Sequence, residues 1–237
     1  SGPRPQELIM NYVFQPAPVV TLPVSGTTEL FPVRRIFCVG RNYAEHTKEM
    51  GGNPDEDTPM FFIKPAETLV SEGGNIPYPT ATTDLHHEVE LVVALKSGGN
   101  NIQPEDTGKH VFGYATGVDL TRRDLQRICK DKRHPWDVAK AFENSAPCGK
   151  ITPADKSSLT ASTKISLSVN GEARQEATLG DMIWSVENIV YHLSRLFELR
   201  SGDIIMTGTP AGVAAIKAGD VIHCAIDGLE DLDFNLK

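Results

Sequence analysis

Two glutamates two residues apart, Glu88 and Glu90, stand inside the apolar run "DLHHEVELVVAL" (84–95). A β-strand alternates its faces, so this pair points to one side while Val89, Leu91 and Val93 take part in the other. Two carboxylates on a partly buried face repel each other and lose hydration. A divalent cation offsets both costs, and carboxylate oxygens suit hard ions such as Mg²⁺, Mn²⁺ or Ca²⁺. An amphipathic edge strand with both acids in water is the competing reading, and the pair alone does not separate the two. His86 and His87 are adjacent, so a strand sends them to opposite faces. No HExxH helix is present to make a zinc site with them.

Other residues with usable chemistry follow at intervals. Asp119 closes the strand-like run "GYATGVD" before an expected helix, where an ordinary helix-entry aspartate is the plainer reading. Arg123 and Gln126 are three apart and share a helix face. Lys140 lies among apolar residues in "DVAKAFENSAP", where a surface lysine is the plainer reading. His46 and Glu49 are three apart in "NYAEHTKEM". On a helix that carboxylate orients the imidazole and raises its basicity, unless the two are a surface ion pair. "TGTPAG" (207–212) is a small-residue turn able to present hydroxyls and N–H groups to an anion. It lacks the GxxxxGK spacing of a phosphate loop.

The elements that must position these residues are mostly strands. "RRIFCVG" (34–40), "MFFIKP", "HHEVELVVAL", "VFGYATGVDLT", "DIIMTG" and "VIHCAIDG" all read as strands. "KISLSVNGEARQEA" (164–177) reads as a hairpin, with Asn170-Gly171 as its two-residue turn. Helices are expected over 42–50, over 120–130 with Thr121 as N-cap and Asp124 near a capping box, and over 181–199. In the last, Ile183, Val186, Ile189, Val190, Leu193 and Leu196 recur at helical spacing. "GGNPDEDTP" (51–59) breaks the chain. The Pro-rich residues 11–33 suit extended edge segments. There is no βαβαβ alternation, so the fold class is α+β, mainly β, with a few helices.

Composition narrows the partners. The 237 residues carry a net charge of -8, which argues against a nucleic-acid surface and an anionic membrane surface. The four cysteines form no CxxC pair and read as free thiols in a reducing compartment, which implies the cytoplasm. No apolar run reaches the ~18 residues of a membrane span, and no secretory signal is visible. Residues 1–9 precede the first methionine, Met10, and read as a cloning remnant or an unordered start.

Taken together, "GRNYAEHTKEM", "FIKP", "HHEVEL", "GYATGVDLTRRDLQ", "AKAFENSAP", "VNGEARQEA" and "GDIIMTGTPAGV" resemble the fumarylacetoacetate hydrolase family. The order and spacing of these motifs match from about residue 34 to the end. The chain looks most like the short acylpyruvate branch, and within it like bacterial fumarylpyruvate hydrolases. The resemblance implies a catalytic domain over 34–237 after an N-terminal segment, 1–33. It implies a mixed β-sandwich roll closing into a distorted barrel, and a homodimer. The metal ligands fall on Glu88, Glu90 and Asp119, with Mg²⁺ expected and Mn²⁺ or Ca²⁺ as alternatives. The lid dyad falls on His46 and Glu49, and the catalytic cation on Lys140. Arg41, Arg123, Gln126 and Thr209 fall on substrate contacts.

The substrate implied is a 2-oxo or 2,4-dioxo acid of aromatic catabolism. The mechanism this resemblance implies has the dyad deprotonate a water, hydroxide attack C4, and the C3–C4 bond break to leave pyruvate enolate. Two alternatives keep the metal and drop the water: decarboxylation of oxaloacetate, and isomerisation or decarboxylation of a hydroxy-dienoate. A third reading is a binding module with a decayed site.

Overall fold

The run that carries the two glutamates forms the strand Val89–Leu95, and every residue of it is buried. In a computed structural model the chain is described over residues 11–51 and 58–237. Most of the break expected at 51–59, and all of residues 1–9, lie outside the described residues. Val89–Leu95 sits in the interior of an eight-stranded sheet, between Asp203–Met206 and Val111–Val118. An edge strand with both glutamates in water is thereby excluded. The sheet runs Met60–Lys64, Arg35–Gly40, Asp203–Met206, Val89–Leu95, Val111–Val118, Ala146–Cys148, Leu69–Ser71, with Thr152–Pro153 paired beside Val111–Val118. Most pairings are antiparallel, but Asp203–Met206 runs parallel to Arg35–Gly40, and Ala146–Cys148 to Leu69–Ser71.

A sheet buried on both faces needs two cores. Val89, Leu91, Val93 and Leu95 join one, with Ile165, Leu167, Ile222, Cys224 and Phe234 of a second, five-stranded sheet. Ile189, Val190 and Leu193 of the helix Val186–Leu196 close the same core. The alternate residues Val92 and Ala94 join the other, with Cys38, Met206, Leu22 and Phe31. The last two come from a small hairpin, Thr21–Pro23 with Leu30–Pro32, built from the Pro-rich segment. Two curled sheets packed this way give the α+β architecture expected, dominated by strands. All four cysteines are free and buried. Among the described residues no helix is long and apolar enough to cross a membrane.

The hairpin forms as its sequence requires, with Lys164–Val169 and Glu172–Thr178 joined at Asn170 (φ 52) and Gly171 (φ 79). These left-handed angles are those of a tight hairpin turn, which is why Asn-Gly is found there.

Two helix boundaries differ from expectation. The helix expected from 120 begins at Arg123 and runs to Lys132, and its N-cap, Arg122, makes no side-chain cap bond. Thr121 is no N-cap. Thr121–Arg122 pairs with Leu85–His86 as a short strand, and the Thr121 hydroxyl bonds Lys140 and the Asp119 carbonyl. Asp124 instead takes the Thr82 hydroxyl at 2.6 Å. The helix expected from 181 begins at Val186, capped by Ser185, whose hydroxyl accepts from the Asn188 N–H. Ile183 lies before it, its N–H bonded to the Asn42 carbonyl, and Leu196 is 66% exposed rather than core.

Candidate active site

Glu88 lies just before Val89–Leu95, Glu90 lies within it, and Asp119 follows the end of the neighbouring strand Val111–Val118. A backbone bond from the Asp119 N–H to the Glu88 carbonyl, 2.9 Å, pins the two strand ends together. The three carboxylates are buried, and one oxygen from each lies within 4.8 Å of the others. Glu90 gives one oxygen to the Gly208 N–H at 2.8 Å. Gly208 has φ +100, and a Cβ there would meet Asn42 Cβ at 2.7 Å, so only glycine brings that N–H in. Burial, then Asp119 and Glu88, push the Glu90 carboxyl well above the ordinary range.

Cations crowd the other side. Lys140 Nζ lies 2.6 Å from Asp119, 2.9 Å from Glu88 and 2.7 Å from the Thr121 hydroxyl. Burial alone would lower this ammonium, but Asp119 and Glu88 outweigh it and raise it. Arg123 donates to Glu88 at 2.6 Å, to Gln126 at 2.7 Å and to His86 at 3.3 Å. Burial would raise Glu88, but Lys140 and Arg123 hold it well below the usual carboxylate range. Lys64, fully buried, stands 2.8 Å from Asp119 Oδ1. It also donates to the Ser145 hydroxyl and to the Lys140 carbonyl, and so fixes the backbone that carries Lys140. Asp119 Oδ1 has this ionic neighbour but no aligned hydrogen bond. Three convergent buried carboxylates, one with an oxygen left for another partner, fit a hard divalent cation.

His46 and Glu49 share one face of the helix Ala44–Glu49, with Nδ1 and Oε2 3.2 Å apart. Burial lowers the His46 imidazole despite the nearby Glu88 and Glu49, which keeps it neutral near pH 7. The Gly212 N–H reaches the same Glu49 oxygen at 3.4 Å. The turn at 207–212 therefore spends two N–H groups on the protein's own acids, Glu90 and Glu49. Its Thr209 hydroxyl accepts from Gln175 at 2.7 Å.

A cavity of about 30 Å³, room for roughly one water, is lined by Arg41, His46, Glu88, Glu90, Arg123, Gln126, Lys140 and Thr209. Lys130, Phe62 and Trp136 complete part of its wall. Of the ten residues singled out in the sequence, eight line it. Glu49 backs His46 from outside, and Asp119 lies beneath Lys140. A larger, apolar cavity of about 760 Å³ adjoins through Phe62, Trp136 and Lys140, but the carboxylates line the small one.

Sequence reasoning missed Lys64 and Gln175. A lysine ending the apolar strand "MFFIKP" was a signal for the first. Gln175 is the one buried residue in the middle of a polar strand. Its amide takes His87 Nδ1 at 2.8 Å and the Val89 N–H at 3.1 Å, and donates to Thr209 and the Pro210 carbonyl. His86 and His87 do diverge: His86 pairs with Asp84 at 2.9 Å, away from Gln175.

The family model described as the fumarylacetoacetate hydrolase C-terminal domain matches residues 35–236. A fumarylpyruvate hydrolase from Pseudomonas aeruginosa, solved with Mn²⁺ and pyruvate, superposes with a TM-score of 0.92 and 44% identity over 95% of this chain and 99% of that one. The mitochondrial oxaloacetate tautomerase FAHD1 of Mus musculus is 41% identical over 204 residues, 86% of this chain and 92% of its own length. A fumarylpyruvate hydrolase from Ralstonia is 37% identical over 75% of this chain and 92% of its own length.

Proposed function

This chain belongs to the fumarylacetoacetate hydrolase family, and from that premise we propose that it hydrolyses fumarylpyruvate to fumarate and pyruvate. The family places it among metal-dependent enzymes that cleave or isomerise 2-oxo and 2,4-dioxo acids. One observation carries the finer reading: a neutral histidine paired with a carboxylate, His46 with Glu49, lines the same cavity as the three buried acids. Hydrolysis needs a base to activate water, and this pair supplies one beside the acids.

In this reading Glu88, Glu90 and Asp119 hold a divalent cation, Mg²⁺, which when bound supplies fixed positive charge to the 2-oxo-acid end of the substrate and to the enolate. Arg41, Arg123, Gln126 and Thr209 orient the C1 carboxylate. Arg123 has five N–H donors, enough to keep Glu88 and still reach a substrate. Thr209, with its oxygen accepting from Gln175, keeps its hydroxyl proton to donate to the substrate. Glu49 accepts the His46 Nδ1 proton, which leaves Nε2 as the basic nitrogen. Nε2 takes a proton from water, and the hydroxide adds to C4. The C3–C4 bond then breaks, its electron pair moves into the C2–C3 enolate, and the acyl group leaves as an acid. Lys140 lies close enough to balance the enolate charge in a site with little water. Protonation at C3 yields pyruvate. A homodimer in the cytoplasm accompanies this reading, the latter supported by four buried free thiols.

The likeness to an oxaloacetate tautomerase supports a second reading, in which the same site forms an oxaloacetate enolate without water attack. Pyruvate release from fumarylpyruvate and acetylpyruvate, beside keto–enol interconversion of oxaloacetate followed by its ultraviolet absorbance, each with Mg²⁺ and with EDTA, separates the two. EDTA-sensitive release of fumarate with pyruvate supports the hydrolase. Turnover of oxaloacetate alone supports the second reading.

A further inference from the structure

Arg123, Gln126 and Lys130 occur at i, i+3 and i+7 of the helix Arg123–Lys132, so they form one stripe. All three line the small cavity. The first two engage the carboxylate end through Glu88 and each other. The Cα of Lys130 stands about 10 Å along the axis from that of Arg123, at ~1.5 Å per residue, and one turn beyond that of Gln126. It is half-buried, and its ammonium faces the Trp136 ring with 5.5 Å to the centroid. Among the described residues no carboxylate makes an ion pair with it. Burial, then the charges of Arg41 and Arg123, bring it down to about 8, so it is still a cation at neutral pH. A cation held in a narrow cleft against like charges, without an acid of its own, is costly unless an anion arrives.

We propose that Lys130 receives the distal carboxylate of the substrate, so that the pocket selects dicarboxylic 2-oxo acids whose second carboxylate lies several carbons beyond the oxo group. This rests on the reading of the Glu88, Glu90 and Asp119 end as the 2-oxo-acid site. An unsaturated diacid would lay its tail beside the Trp136 ring, with its second carboxylate at the Lys130 ammonium.

The test compares 2-oxoadipate with 2-oxohexanoate, which share a chain length and differ only in the terminal carboxylate. Each is titrated into the full chain loaded with Mn²⁺, as wild type, Lys130→Gln and Lys130→Arg. Wild type is expected to prefer 2-oxoadipate by ~10- to 100-fold, as for a charge-assisted hydrogen bond. Lys130→Gln is expected to bring that ratio close to unity, and Lys130→Arg to restore most of it. An equal ratio in wild type and Lys130→Gln overturns the proposal, as does a wild type without preference. Binding of 2-oxohexanoate in each variant shows that the metal-loaded site is intact. A retained preference without cleavage of any acylpyruvate removes the hydrolase reading and leaves the subsite standing. Cleavage of fumarylpyruvate without the preference does the reverse.

Discussion

Lys140 Nζ and a Glu88 carboxylate oxygen lie 2.9 Å apart, and both residues are buried. The same ammonium touches Asp119, so one lysine contacts two of the three acids. Arg123 and Lys64 complete a shell of three cations around three carboxylates. The protein thus holds Glu88 ionised before any metal arrives, while Glu90 is opposed by burial and by its two acidic neighbours.

That asymmetry separates two substitutions. Glu88→Ala is expected to abolish Mn²⁺ binding and activity, and to destabilise the metal-free protein by roughly 3–5 kcal/mol, since it strands the buried Arg123 and takes one of two acids from Lys140. Glu90→Gln is expected to abolish high-affinity metal binding at little or no cost in metal-free stability, because it relieves repulsion. Calorimetric metal titration and chemical denaturation of the metal-free variants check both.

Glu49→Gln keeps the three acids intact and removes only the carboxylate that orients His46. Metal affinity is expected to stay within about twofold of wild type, while kcat for acylpyruvate hydrolysis falls by ~10²–10⁴. A rate near wild type would remove Glu49 from the base.

Lys140→Met is expected to lower kcat more than it raises KM, since in the proposed mechanism the enolate carries the charge that this ammonium balances. Steady-state kinetics with saturating Mg²⁺ give the split.

Gln175→Leu leaves Thr209 without its donor and frees the hydroxyl to rotate, and it costs stability by stranding the His87 ring, the Val89 N–H and the Pro210 carbonyl. The expected result is a KM raised by about tenfold with a smaller change in kcat, as for lost substrate positioning. Kinetics of this variant beside Thr209→Val check the linkage, because the two losses should not add.

His87 is fully buried with its Nδ1 on Gln175, and burial holds it down at about 4. Unfolded, the ring protonates near pH 6.5, so between pH 6.5 and 4 the unfolded state binds a proton that the folded state refuses. Stability is therefore lost as pH falls through that window, with a ceiling of roughly 3 kcal/mol from this group. Urea denaturation at pH 7, 5.5 and 4.5 measures the slope, and His87→Asn is expected to flatten it.

The residues that gather at the candidate site were legible because their types and spacing are unusual for their settings. Two acids in an apolar strand, and a histidine with a glutamate on one helical face, state what they need. Elements whose boundaries depend on tertiary partners were less legible. Leu120–Arg122 reads as helix by propensity, but pairing with Leu85–His86 and a bond from the Arg123 N–H to the Asp84 carbonyl hold it extended. Lys64 reads as a lysine at a strand end. Its role depends on Lys140 and Ser145, which arrive 76 and 81 residues later. Gln175 was hidden because one inward-facing amide in a strand of mostly exposed, polar residues carries no hydrophobic periodicity.

The proposed hydrolysis by this chain depends on water activation by His46 and Glu49. The direct measurement is turnover of fumarylpyruvate in H₂¹⁸O with Mg²⁺, followed by mass analysis of the fumarate. One ¹⁸O in each fumarate, lost in Glu49→Gln along with turnover, is the predicted result. Pyruvate formed without labelled fumarate, or oxaloacetate enolised while fumarylpyruvate remains intact, would contradict it.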